Sequence, residues 1–186
     1  MYTLEEKQFI LNLAREAISY FLTDSKILKI DESRVVFKKL LENKACFVTL
    51  KINGELRGCV GHIESTQPLY LDIIENAVGS AFRDSRFDPL TPKEFEQISM
   101  EVSVLTEPVQ LFFDSSTDLL NKIRPNIDGV IIQKDGRSAT YLPAVWEDFE
   151  SKEKFLSSLC VKAGLKEGDW LASDLLVWTY QVESIE

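Results

Sequence analysis

Two dipeptides constrain this chain more than any other feature. Asn53-Gly54 and Asp135-Gly136 each stand between short β-rich runs, and in that setting they signal β-hairpins. A hairpin is antiparallel by construction. Two of them, with helical patterns around them, argue for an α+β fold with a mainly antiparallel β-sheet flanked by helices. The first hairpin pairs residues 45–52 with 56–63, and the second pairs 129–133 with 137–142. The faces argue for the first loop's length. A two-residue loop would set Leu50 opposite Arg57 and Val48 opposite Cys59, mixing apolar and polar groups on one face. A three-residue loop, Ile52-Asn53-Gly54, sets Leu50 opposite Leu56, Thr49 opposite Arg57 and Phe47 opposite Cys59. Each face is then consistent, so the three-residue loop is expected, with Arg57 and Cys59 on one face.

Helical spacing fills residues 3–22, opened by a capping box of Thr3 and Glu6. A weaker helix or loop covers 33–43. Thr66 is expected to cap a helix with Pro68 in its first turn, ending near Phe82. Its apolar stripe is Leu69, Ile73, Ile74, Ala77, Val78 and Ala81. A charged loop follows over 83–90. Thr91-Pro92-Lys93-Glu94 is a second capping box, and residues 98–105 alternate as a strand. A short helix near 118–123, a helix over 151–163 closed by Gly164 and a last strand over 175–182 complete the chain. With 186 residues and no linker or composition shift, a single domain over 1–186 is expected.

Lys and Arg number 21 against 30 Asp and Glu, a formal charge of −9. That balance argues against binding nucleic acid or an anionic membrane non-specifically. No apolar run approaches the ~18 residues of a membrane span, and the first residues lack the form of a signal peptide. Cys46, Cys59 and Cys160 are an odd, sparse set, which suits reduced thiols in the cytoplasm rather than a disulfide framework.

The segment Leu56-Arg57-Gly58-Cys59-Val60-Gly61 carries the candidate site. Glycines inside a strand weaken it, so Gly58 and Gly61 suggest a bulge or close backbone approach, with room beside the thiol. In one reading Cys59 is a reactive cysteine whose pKa Arg57 lowers while holding an anion. In the other, the strand is simply packed and Arg57 forms a structural ion pair, for which Glu101 is a candidate partner. Asp84, Arg86 and Asp88 make a loop of alternating charge around Phe87, which offers a second anion contact or a general base, or else is a solvated loop with local ion pairs. Cys59 and His62 do not suffice for a metal site, and on a regular strand they point to opposite faces. No metal or cofactor motif emerges. Trp146, Trp170 and Trp178 read mostly as core.

A wider pattern is now visible. Phe47-Val48-Thr49-Leu50 leads into the Leu56–Gly61 segment. Ala81-Phe82-Arg83-Asp84-Ser85-Arg86-Phe87 precedes Pro89-Leu90-Thr91, then Met100-Glu101-Val102-Ser103-Val104-Leu105. Asp128-Gly129-Val130-Ile131-Ile132, Tyr141-Leu142-Pro143 with Val145-Trp146-Glu147, Phe155-Leu156 and Lys162-Ala163-Gly164-Leu165 follow. In order and spacing this resembles the AMMECR domain family, whose bacterial and archaeal members are called AmmeMemoRadiSam system protein A. The resemblance implies an α+β domain and gene neighbourhood with a Memo-like protein and a radical S-adenosylmethionine protein. It implies an accessory or adaptor subunit acting with those two. The alternative is a thiol-dependent enzyme for a small anionic substrate, using Arg57 and Cys59. Nucleic acid, sometimes suggested for the family, sits poorly with the charge. Ser85 stands where the family usually has Pro, and Ala144 and Asp148 depart from its small-polar and Gln residues, so the resemblance assigns no role to the Trp146 segment.

Overall fold

The computed structural model describes residues 1–186. The chain forms two compact units, Met1–Leu105 with Glu183–Glu186, and Thr106–Val182. Both are α+β with antiparallel sheets. No helix is long and apolar enough to cross a membrane.

In the first unit α1, Leu4–Asp24, starts at the expected capping box. Thr3 Oγ1 accepts the Glu6 N–H at 3.2 Å, and Glu6 Oε2 accepts the Thr3 N–H at 2.7 Å. The weak segment becomes a 3-10 turn, Glu32–Arg34, and one helical turn, α2, Lys38–Leu41. The strands β1, Cys46–Ile52, β2, Glu55–Gly61, β3, Ile98–Leu105, and β8, Val182–Ile185, form one sheet in the order β2-β1-β3-β8. Helix α3, Leu69–Phe82, packs on β1 and β2, and α1 packs on α3. The expected stripe of α3 is buried with Val48, Leu50, Val102 and Val104. Thr66 is not its cap. The helix begins at Pro68 with no side-chain cap, and the Leu69 N–H goes to the Glu42 carbonyl at 2.9 Å.

The first hairpin corrects the expected loop. Ile52 pairs with Glu55, so the loop has two residues, Asn53 and Gly54, at φ 54° and 85°. Positive φ at both positions is the hairpin turn whose twist matches the flanking strands. The register then slips between Leu50 and Lys51: Lys51 faces Leu56, but Leu50 faces Gly58. Arg57 is therefore a bulged residue. The bulge restores the alternation that a longer loop was invoked to preserve, and it sets Thr49 opposite Cys59 and Phe47 opposite Gly61.

The second unit holds the other sheet, with strands β4, Val109–Gln110, β5, Gly129–Lys134, β6, Arg137–Tyr141, and β7, Leu176–Tyr180, in the order β4-β7-β5-β6. Helices α5, Ser116–Lys122, and α6, Lys152–Lys162, enclose its core. Trp146 lies flat on Phe155 with ring centroids 3.5 Å apart, and its indole N–H donates to the Asp128 carbonyl at 2.8 Å. The single last strand expected over 175–182 is two strands in different sheets. Between them Gln181 exchanges hydrogen bonds with Thr106, which takes it out of the ladder.

Candidate functional site

The bulge turns Arg57 toward α4, Pro92–Phe95. Arg57 Nε donates to Glu94 Oε1 at 2.9 Å, and Nη2 donates to Glu94 Oε2 at 3.3 Å and to the Asp88 carbonyl at 2.8 Å. Glu94 is also the capping-box residue of α4, accepting the Thr91 N–H and hydroxyl. Arg57 and these Thr91 donors together hold the Glu94 carboxyl down at about 2. The ion pair is thus the structural one of the two readings, but its partner is Glu94. Glu101 instead pairs with Lys51 at 3.1 Å. Arg57 Nη1 is buried and makes no hydrogen bond.

Cys59 follows two residues on. Its thiol contacts the Thr49 hydroxyl at 3.3 Å. Asp84 Oδ2 accepts the Cys59 N–H at 2.9 Å, and Arg86 Nη2 reaches the Cys59 carbonyl at 3.5 Å. Arg86 Nε and Nη2 bind Asp84 at 2.9 and 2.7 Å. A fork of one acid and one base therefore engages both backbone groups of Cys59 on β2, an edge strand of its sheet. The Arg86 contact holds the Asp84 carboxyl well below the usual carboxylate range. A carboxylate so stabilised is a poor general base at neutral pH. Two guanidinium groups lie over the Phe87 ring, Arg57 at 5.7 Å and Arg86 at 5.5 Å from its centroid.

The structure thus brings Arg57, Cys59, Asp84, Arg86 and Phe87 into one neighbourhood. It does not support activation of the thiol by Arg57. Burial pushes the Cys59 thiol up, Thr49 and Arg86 pull it back, and Asp84 and Glu101 push it further up. Arg57 is engaged by Glu94, and Arg86 is the cation that acts on the thiol. Nor do the glycines leave room. A Cβ on Gly58 would lie 2.1 Å from the Ser80 carbonyl oxygen, and one on Gly61 would lie 2.3 Å from the Phe47 ring. They mark the close approach of α3 and of an aromatic ring.

A second cluster lies where β2 meets α3. Asp72, Asn76 and Ser80 sit four residues apart on α3, and all three are buried. Ser80 Oγ donates to the Val48 carbonyl and accepts the Val60 N–H at 3.0 Å. Asn76 donates to the Cys46 carbonyl and to Asp72, and Asp72 accepts the Cys46 N–H at 2.8 Å. His62 Nδ1 stands 2.6 Å from Asp72 Oδ1. The imidazole and the Cys59 thiol thus have different partners. Burial and Asp72 push the Cys46 thiol far up. The polar i, i+4, i+8 ladder inside an apolar helix was the available signal for this cluster; apolar stripe counting passes over it.

A family model described as AMMECR1 matches residues 11–185, which run through both units. The chain belongs to the AMMECR1 family. It is 38% identical to Protein MK0488 of Methanopyrus kandleri over 99% of this chain and 89% of that one. It is 35% identical to Protein MJ0810 of Methanocaldococcus jannaschii, over 100% of this chain and 92% of the other. Among solved structures it resembles uncharacterized protein PH0010 from Pyrococcus horikoshii, with a TM-score of 0.86 and 33% identity, covering 96% of this chain and 89% of that one. The AMMECR1 match runs over residues 11–185 and so through the folds of both units.

Proposed function

We propose that this AMMECR1 protein is a binding subunit without chemistry of its own, an accessory or adaptor for proteins of the Memo-like and radical S-adenosylmethionine types. One observation carries the reading: at the candidate site the charged groups are already committed within the chain. Arg57 is held by Glu94, Asp84 by Arg86, and the thiol is driven up rather than activated. What the site offers outward is the half-exposed Arg86 beside Phe87, with exposed Leu56 on the same hairpin. Arg and aromatic residues of this kind anchor protein interfaces. The partner types come from the family resemblance, and free thiols at Cys46, Cys59 and Cys160 suit work in the cytoplasm.

The test is binding to purified Memo-like and radical S-adenosylmethionine proteins encoded in the same genome, followed by calorimetry. Arg86→Ala and Phe87→Ala are expected to weaken the complex about tenfold or more, and Cys59→Ser to leave it intact. Cys59-dependent turnover of a small anionic substrate, with no binding to either protein, would establish the enzyme reading instead.

A further inference from the structure

A groove of about 380 Å³ is lined by Phe47, Gly61, His62, Ile63, Glu64 and Thr66. His62 is the only histidine of the chain. Its side chain is 44% exposed, while its partner Asp72 is 2% exposed. Asp72 accepts the Cys46 N–H, and Gln67 and Asn76 also donate to it at 3.1 and 2.9 Å. The carboxylate only accepts, and both Asn76 amide hydrogens are taken by Asp72 and the Cys46 carbonyl. His62 Nδ1 is therefore the donor to Asp72, and in the neutral ring Nε2 carries the lone pair. A buried carboxylate tied by that many donors fixes the ring's tautomer and plane, as an orienting partner does for a working imidazole.

The other side chains of the groove agree in sign. Glu64 is an exposed carboxylate, Thr66 a hydroxyl, and Phe47 and Ile63 supply apolar walls. No lysine or arginine lines it. An anion finds no fixed cation here, whereas a cationic donor meets the lone pair of the neutral imidazole and a carboxylate. We propose that this groove binds small aliphatic primary amines, the ammonium donating to His62 Nε2 and balanced by Glu64, with the chain against Phe47 and Ile63. The groove shares no residue with the proposed partner surface of Leu56, Arg86 and Phe87.

The test is titration of isotope-labelled full chain with n-butylammonium chloride, read on the single imidazole and on the Ile63 and Thr66 amides. Sodium butyrate at matched ionic strength and neutral butanol are the controls. A probe this small is expected to bind with a Kd of about 1 mM. The imidazole signals should move saturably with the amine alone, and the amine should slow carbethoxylation of His62. Glu64→Gln, a surface change, should weaken binding about tenfold, and His62→Gln should abolish the amide shifts. Asp72→Asn frees the ring and should also weaken binding, but Asp72 ties β1 as well, so the Glu64 variant decides if that protein fails to fold. No saturable shift with the amine, an equal response to butyrate or butanol, or full binding by Glu64→Gln would each overturn the proposal.

Discussion

Three residues of β2 respond differently to substitution, because each meets a different neighbour. Gly58 has the Ser80 carbonyl oxygen where a side chain would begin. Backbone cannot swing away as a side-chain tip can, so Gly58→Ala is expected to cost about 1–3 kcal/mol in urea denaturation. For Cys59 the expected outcome concerns rate. Iodoacetamide should alkylate it slowly near neutral pH, because burial disfavours the thiolate. Arg86→Ala should slow it further, and Arg57→Ala should not act through thiol ionisation. Stopped-time mass spectrometry across a pH series separates these outcomes. Arg57 instead acts through Glu94. The Glu94 carboxyl is lowered from 4.5 to about 2 in the folded chain. Between those values the unfolded state binds the extra proton, so stability rises with pH. The contribution is complete above 4.5 and is lost as pH falls through about 2. Glu94→Gln should therefore flatten the acid limb of the stability curve over that window, measured as denaturation midpoint against pH.

At the scale of the element, β2 is an edge strand with an unusual guard. An open edge invites pairing with another chain. Here the Asp84–Arg86 fork occupies the N–H and carbonyl of Cys59, the two groups a neighbouring strand would use. Asp84→Ala removes the acceptor and should raise the exchange rate of the Cys59 amide about tenfold, given the free energy of one hydrogen bond with a charged partner. Amides of β1, paired on both sides by β2 and β3, should change little. Equal protection in wild type and variant would mean that the fork does not guard the edge. The loop that looks like a site in the sequence is thus, in its backbone contacts, also a strand terminator.

Over the whole molecule, the two units offer separate probes. Trp146, Trp170 and Trp178 all belong to Thr106–Val182, and the long helices α1 and α3 belong to the other unit. Tryptophan fluorescence therefore reports one unit and far-UV circular dichroism mostly the other. Phe155 is wholly buried and stacks on Trp146. Phe155→Ala should cost about 3–5 kcal/mol and move the fluorescence transition to lower denaturant, while the dichroism transition stays nearer its original midpoint. Transitions that remain coincident in the variant would make the chain one cooperative unit.

What could be read from the sequence was local. Both capping boxes, the two X-Gly turns, the apolar stripe of α3 and the alternation of β3 depend on residues within a few positions of each other, where backbone preference and side-chain period are set. Family motifs extended that reading to the fold. Four features depended on how separate elements meet. The bulge at Arg57 arose because β1 demands one register and the Asn53-Gly54 turn another, and an extra residue reconciles them. Glu94 took Arg57 because α4 is carried to the mouth of the bulge, 37 positions away. The last strand divided because Gln181 pairs with Thr106. Asp72 met His62 because α3 lies across the end of β2. Sequence by itself determined the elements and which face of each is apolar; only the tertiary structure decided which polar groups meet, since that depends on how those faces come together.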